Sequence, residues 1–337
     1  MNTIVGKSLV TVVVTTYNGG KYLSEQLDSI IEQTYKHLEI IITDDASSDN
    51  TSAIVANYMQ QDQRIAYIRH DKNIGLHLNL EQALLRAKGE FIAISDQDDI
   101  WQLDKIEKQL EAIGDKVAVF TDSLLIDSSG VPIGLTVLQS IRLKDWENCT
   151  QLLNLLYKNV VSGHSMLFHR SLLAVALPFS DDLIFDHHLA LCAAICGGMV
   201  FYPEPLVNHR IHGENHTNAG LAVAKDKRIK TDRSQRPVRR EKLLQKLRIF
   251  EQIQKSDLAD IESNGFSVDK ESLDDLVVVA ETAEKTAHGF FSLTLMLQLY
   301  KLGKKHSYHK KFDLKRCFRL AKGEAWYKIF SRSGWKI

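Results

Sequence analysis

The alternation running from Leu9 to Ile113 constrains this chain more than any other feature. Four short apolar runs, VTVVV (10–14), LEIIIT (38–43), RIAYIRH (64–70) and FIAIS (91–95), are each followed by a segment whose apolar residues recur every three or four positions. Leu23, Leu27, Ile30 and Ile31 follow the first run; Ile54, Val55, Tyr58 and Met59 the second; Leu80, Leu84 and Leu85 the third; Ile106, Leu110 and Ile113 the fourth. Near-continuous runs such as VTVVV suit strands buried on both faces, whereas the helical period gives each following segment one apolar stripe. Such units predict a mostly parallel sheet flanked by helices, with ligand chemistry at the carboxyl ends of the strands. The polar clusters TTYN, DDASSDN, DKN and DQDD each follow a strand immediately, so the fold gathers them along one rim.

Over 337 residues, 44% apolar and 25% charged side chains supply a core for one large or two modest domains. Beyond residue 117 the alternation loosens. VAVFTDSLLID and SGHSMLFHRSLL read as strands and a short helix, DHHLALCAAI (186–195) as a helix, and MVFYPEPLVNHRIH as two short strands broken by prolines. The predicted organisation is an α/β domain over 1–218, a polar basic linker over 219–240 and a helical region over 241–337, the last marked by Leu243, Leu244, Leu247, Phe250 and Ile253.

Asp96-Gln97-Asp98-Asp99 is the most pointed cluster on the rim. Carboxylates packed this closely repel one another unless a cation neutralises them, and Mg²⁺ or Mn²⁺ takes one or two such groups while filling its other positions with phosphate oxygens and water. Alternatively, Asp98 or Asp99 caps the helix that follows. Asp44 and Asp45 end another strand, so the rim is too acidic for a bare anion but suits one that carries a metal, such as a nucleotide diphosphate. There is no GxxxxGK[ST], and no GxGxxG after the first strand, which argues against a Walker-type ATPase and a dinucleotide-dependent oxidoreductase.

VTVVVTTYNGGKYLSEQLDSIIEQTY, LEIIITDDASSDNT, DKNIGLHLNLEQALLRAKGEFIAISDQDDIW, FDHHLALCAAICGG and PLVNHRIHGENHT together resemble the family 2 glycosyltransferases of the GT-A fold. The resemblance is to the bacterial branch that builds rhamnose-containing and other surface polysaccharides, and it spans about residues 8–218. It implies a nucleotide-sugar half over about 1–115 and an acceptor half over about 116–218. Thr15 and Tyr17 match positions that hold the base and ribose, Asp45 with Asp44 beside it the acid that accepts from a pyrimidine, and Asn73 and Gly75 a turn near the nucleotide. Asp96 and Asp98 match the metal-binding DxD, with Asp98 the closer to the ion, and His212 lies in the R-x-H segment that closes over the diphosphate and adds to the metal set. Asp186 matches the catalytic base at a helix start, although Phe185 stands where the family commonly has Glu or His, which leaves Asp181 and Asp182 as alternatives. The implied reaction is an inverting, metal-dependent transfer from dTDP-rhamnose or a UDP-hexose to a glycan or lipid-linked acceptor.

The chemistry is consistent with that implication. A nucleoside diphosphate is already a good leaving group, so the protein must stabilise charge on the phosphate and take a proton from the acceptor hydroxyl. Phe185 and Leu189 would raise the basicity of Asp186 by desolvation. Other readings are weaker. The residues His209, His212 and His216 approach zinc-ligand spacing but span a strand end and a turn rather than one helix face, and His187 and His209 read as structural hydrogen-bonding residues. Ser162-Gly163-His164-Ser165 lacks a nucleophile elbow and reads as a border of the acceptor pocket. A nucleotidyltransferase would carry a basic Gly-rich loop where this chain has TTYNGGKY, and a non-catalytic membrane-associated subunit would not need an intact acid set.

Equal totals of 42 basic and 42 acidic residues conceal an asymmetry. Residues 301–337 carry 12 Lys/Arg against Asp313 and Glu324, and residues 225–248 carry 11 against 3 acids, on an otherwise acidic body. With Trp326, Tyr327, Phe330 and Trp335 in the tail, this pattern suits an anionic membrane surface, or a solvated basic helix whose aromatics pack on the body, better than nucleic acid. The expected location is cytoplasmic, peripheral on the inner face of the cell membrane, since there is neither a secretion signal nor a long uncharged apolar run. Cys149, Cys192, Cys196 and Cys317 read as reduced thiols.

Overall fold

The computed structural model describes residues 8–141, 150–213, 239–287, 292–306, 317 and 321–322. The four predicted units are present as β1 (Val10–Thr16), α1 (Leu23–Ile31), β2 (Leu38–Asp44), α2 (Thr51–Gln61), β3 (Ile65–Arg69), α3 (Leu76–Leu84) and β4 (Phe91–Ser95), then a two-residue strand β5 (Ile100–Trp101) and α4 (Lys105–Ile113). β6 (Ala118–Ile126), β7 (Pro132–Thr136), α5 (Val137–Ser140), α6 (Leu152–Tyr157), β8 (Met166–His169), α7 (Leu173–Ala176), α8 (Phe185–Ile195) and β9 (Met199–Arg210) complete the α/β part. Among the described residues four helices follow: α9 (Arg239–Lys255), α10 (Ala259–Ser263), α11 (Lys270–Lys285) and α12 (Leu293–His306).

The strands form one mixed sheet in the order β3-β2-β1-β4-β8-β6-β9-β5, with β7 paired to β6. The first three pairings are parallel, β8 is antiparallel to both β4 and β6, and β9 returns parallel to β6. From β1 the chain moves outward through β2 and β3, then crosses back to place β4 on the other side of β1. The crevice beyond the ends of β1 and β4 is therefore the switch point at which open α/β sheets bind ligands.

Strand alternation apportions the core. Val10, Val12 and Val14 pack with Leu23, Leu27, Ile40, Ile42, Ile106 and Leu110 on one face. Val13 and Ile41 point into the other face with Leu80, Leu84 and Ile92, and the cluster there continues through Phe120, Phe168 and Leu189 to Leu247, Phe250, Leu276 and Leu299 of the C-terminal helices. Those helices thus share a core with the sheet. Cys192, Cys196 and Cys317 are buried and act as small apolar fillers.

One expectation is corrected in detail, and one short strand is new. MVFYPEPLVNHR is one strand rather than two: its register against β6 slips on either side of Asp122, which faces Pro205, so the prolines sit in an irregularity instead of ending the strand. Ile100-Trp101, at the end of DQDDIW, is a strand that pairs with Val207 and Asn208 and brings the β4 loop against the end of β9. The aromatic tail residues Trp326, Tyr327, Phe330 and Trp335, most of the 219–240 linker, Cys149 and His216 lie outside the described residues.

Candidate active site

A cavity of about 440 Å³ opens at the switch point. Its walls include Thr15, Tyr17, Asp45, Asn73, Gly75, Asp96, Asp98 and Asp186, so residues up to 171 positions apart in the chain line one space. The SGHS segment borders it through Ser162, Gly163 and His164, as expected, and Leu76, Val137, Ile184 and Phe185 add an apolar wall.

The end of β1 is tied to the β4 loop by Gln97, the middle residue of the DxD. Its Oε1 accepts from Thr16 Oγ1 at 2.7 Å and from the Tyr17 N–H at 2.9 Å, while Nε2 donates to the Tyr17 carbonyl at 3.2 Å. A Cβ on Gly19 would stand 2.4 Å from Gln97 Oε1, so only glycine allows this approach. Nothing in the sequence marks Gln97 beyond its place between two acids.

Asp45 lines the cavity and accepts backbone N–H bonds from Ile74 at 2.6 Å and Gly75 at 2.9 Å, which shapes the 73–75 turn. Asp44 is placed elsewhere. It is fully buried away from the cavity, and accepts from the Ser47 N–H at 2.8 Å and from Tyr67 Oη at 2.6 Å, with Arg69 at 3.7 Å. Asp44 is the last residue of β2 and Asp45 the first beyond it, and of the two only Asp45 lines the cavity.

The DxD carboxylates are surrounded by imidazoles. Asp98 Oδ2 lies 2.7 Å from His212 Nε2. His164 Nδ1 lies 3.3 Å from Asp96 Oδ2 and 3.5 Å from Asp99 Oδ2. His209 Nδ1 is 2.8 Å from Asp99 Oδ1, which also accepts the Arg210 N–H at 3.1 Å, and its ring stacks on that of His164 with centroids 4.5 Å apart. Burial, reinforced by Asp99 and Asp96, pushes the Asp98 carboxyl up to about 6 although His212 pulls the other way. At Asp99 burial also opposes the charge, but His209 and His164 outweigh it and hold the carboxyl at about 2. His209 is correspondingly raised to about 9, burial being overcome chiefly by Asp99. The structural role expected of His209 is thus that of a buried imidazolium paired with Asp99.

Among the described residues one group of three brings its ligand atoms within 4.8 Å of one another, Asp99, His164 and His209. Of the set expected from the sequence, Asp98 and His212 meet at 2.7 Å, and Asp96 lines the same cavity as Asp98. Asp99 Oδ2 makes no hydrogen bond among the described residues, which leaves one acceptor position of this buried carboxylate open. At Asp98 the raised carboxyl shows that positive charge is undersupplied, and Asp98, Asp96 and His212, two carboxylates and one imidazole, are a donor set that fits Mn²⁺ or Mg²⁺.

Asp186 opens α8 on the opposite wall. Burial pushes its carboxyl up to about 6, while a hydrogen bond from Asn159 Nδ2 at 2.8 Å opposes the rise. A Cβ on Gly163 would lie 2.4 Å from the Phe185 ring, so the glycine lets that ring close over the acid's side of the cavity. Asp181 and Asp182 are exposed, line no part of the cavity, and Asp182 instead pairs with Arg248 at 3.2 Å. His187, read as structural, hydrogen bonds the Leu155 carbonyl at 2.8 Å through Nε2.

Residues 11–175 match the family model described as glycosyl transferase family 2. The putative teichuronic acid biosynthesis glycosyltransferase TuaG of Bacillus subtilis (strain 168) is 36% identical over 129 residues, which is 38% of this chain and 51% of TuaG. Glycosyltransferase GlyG of Streptococcus pneumoniae serotype 4 is 39% identical over 110 residues, 33% of this chain and 36% of GlyG. The chain spans about half or less of the length of these two relatives. Among solved structures, S. aureus TarS 1-349 in complex with UDP-GlcNAc aligns with a TM-score of 0.55 and 18% identity, covering 93% of this chain and 83% of that one. Mannosyltransferase PcManGT from Pyrobaculum calidifontis, in complex with GDP-Man and Mn²⁺, aligns with a TM-score of 0.53 and 19% identity over 93% of this chain and 84% of that one. The likeness is one of fold, and it bears out the expected GT-A architecture followed by helices.

The Asp99–His209 pair makes stability depend on pH in a defined window. Asp99, depressed to about 2, contributes stability that is present above its unfolded value of ~3.9 and lost as pH falls through 2; His209, raised to about 9, contributes below ~6.5 and loses it as pH rises through 9. Asp99→Asn should therefore lower stability near pH 6 by roughly 3–5 kcal/mol and abolish the decline between pH 6.5 and 9. Urea denaturation at pH 6 and pH 9 measures both effects.

Proposed function

The chain belongs to glycosyltransferase family 2, and from that premise we propose that it moves a sugar from a nucleoside diphosphate sugar to a hydroxyl of a glycan or lipid-linked acceptor, with inversion at the anomeric carbon. The observation that carries this reading is that one cavity is lined both by the DxD carboxylates Asp96 and Asp98 and by the buried acid Asp186. Its volume, about 440 Å³, lies in the usual range for small-molecule sites. The donor we favour is dTDP-rhamnose or a UDP-hexose, used in bacterial surface polysaccharide synthesis, which agrees with the name of the relative TuaG.

Thr15, Tyr17, Asp45, Asn73 and Gly75 bind the nucleoside end. Asp98, His212 and Asp96 would hold Mn²⁺ or Mg²⁺, an assignment that agrees with the Mn²⁺ named for PcManGT. When bound, the ion supplies Lewis-acid stabilisation to the charge that develops on the departing diphosphate. Asp186 takes the proton of the acceptor hydroxyl as that oxygen attacks the anomeric carbon from the face opposite the diphosphate. The apolar wall of Leu76, Ile184 and Phe185 excludes water from the base and keeps its proton affinity high. Among the described residues no helix is long and apolar enough to cross a membrane; contact with an anionic membrane is assigned to the basic, aromatic tail.

Three outcomes follow. A panel of UDP-, dTDP- and GDP-sugars with Mn²⁺ should show nucleotide release from one donor, abolished by EDTA and by Asp98→Ala; no release from any sugar nucleotide refutes transfer. Because Asp186 acts deprotonated and its carboxyl lies at about 6, kcat/KM should rise through pH 6 to a plateau, and Asp186→Asn should lose roughly 10²–10⁴-fold in kcat. Removing residues 323–337, which carry Trp326, Tyr327, Phe330 and Trp335, should release the protein from phosphatidylglycerol vesicles in a sedimentation assay, and undiminished binding would refute the role of the tail.

A further inference from the structure

The segment before the SGHS turn carries a side chain that reaches the carboxylate of Asp186. Asn159 follows α6, and its Nδ2 donates to Asp186 Oδ1 at 2.8 Å. The Val161 N–H donates to Asn159 Oδ1 at 3.1 Å. An amide oxygen that already accepts from the backbone must present its nitrogen to the acid, so the orientation of the pair is determined.

The same segment is gripped from two sides. His187, next to Asp186 on α8, bonds the Leu155 carbonyl at 2.8 Å, and Lys246 Nζ of α9 donates to the Leu156 carbonyl at 2.6 Å. These are the carbonyls near the end of α6, where orphan acceptors and the helix dipole both favour a cationic donor. Leu155 and Leu156 themselves sit in the core cluster that contains Leu247 and Phe250 of α9. A chain of contacts thus runs from the C-terminal helices through α6 to the Asp186 carboxylate.

We propose that Asn159 is the positioning residue of Asp186, and that Lys246 makes the C-terminal helices part of the same apparatus by anchoring the segment that carries Asn159. This rests on the reading of Asp186 as the base. Asn159 holds one carboxylate oxygen and so aims the acid across the cavity; a base displaced by about 1 Å loses on the order of 10²-fold in rate. The groups that face Asp186 are Asn159, the N–H groups of His187 and Gly163, which favour its charge, and Asp96, which opposes it.

The experiment is the pH profile of kcat/KM together with kcat and donor KM. Asn159→Ala removes a hydrogen bond to the charged form, so kcat should fall about 10–100-fold, donor KM should stay constant, and the acid limb should move up by about one pH unit. Asn159→Asp keeps the shape but sets a second carboxylate against Asp186, and should move the limb further up. Lys246→Met should lower kcat in the wild-type background and cost nothing more when added to Asn159→Ala; losses that multiply, or no loss at all, overturn the role of Lys246. If Asp186→Asn is inactive while both Asn159 variants keep the wild-type kcat and acid limb, the positioning role falls and the base stands. If Asp186→Asn keeps its turnover, the assignment of the base is what fails.

Discussion

The packing of three carboxylates into the four residues after β4 is the constraint on which the rest of the site depends. Asp96, Asp98 and Asp99 cannot all stay ionised in a buried crevice without positive charge close by. The protein supplies part of it from far along the chain: His164, His209, His212 and the Arg210 guanidinium, which donates through Nε to the Asp98 carbonyl at 2.9 Å. That requirement explains why β9 must end beside the β4 loop, and why the two-residue β5 pins it there. The balance is left incomplete at the front, where Asp98 keeps a raised proton affinity. A fully neutralised site would have no reason to bind a divalent ion.

Much of this was legible in the sequence, and the limits have physical causes. The four strand-helix units declare themselves through local periodicity, because a strand buried on both faces and a helix buried on one need different patterns. The rim follows at once, since residues just after parallel strands share an edge. Asp186 was legible as a buried acid beside Phe185. Asp44 could not be separated from Asp45 by composition; the separation comes from where β2 ends, with Asp44 its last residue, held by Ser47 and Tyr67, and Asp45 beyond it against the 73–75 turn. Gln97, Asn159 and the Asp99–His209 pair were illegible for another reason. Their partners lie 80, 27 and 110 positions away, and amides and imidazoles are too common for any local pattern to announce such pairings.

The C-terminal helices carry the same point from local pattern to global packing. Their apolar spacing showed that they would bury one face, and the basic linker before them suggested a region set apart. Burial is decided by what surface is available. The face of the sheet that carries Val13, Ile92 and Phe120 needs cover beyond what α3 and α8 provide, and Leu247, Phe250 and Leu276 extend the same cluster. Once α9 lies against α6 and α8, its half-buried Lys246 must find an acceptor, because an unpaired ammonium there would be costly. The available acceptor is the end of the helix that leads to Asn159. Packing demanded by the core thereby comes to bear on the orientation of an acid in the cavity.

The two walls of the cavity are consequently held in different ways. On the side of Thr15 and Asp45, backbone geometry dominates: the parallel ladder pairs Thr15 with Thr43, Asp96 directly follows the last residue of β4, Gln97 ties its loop to the end of β1, and Asp45 moulds the 73–75 turn. On the opposite side, Asp186 begins a helix whose neighbours are short irregular segments, and side chains do the holding: Asn159 on the carboxylate, His187 and Lys246 on α6. β1 tolerates little change because it is bonded to two other strands, whereas a side-chain brace can be altered one residue at a time.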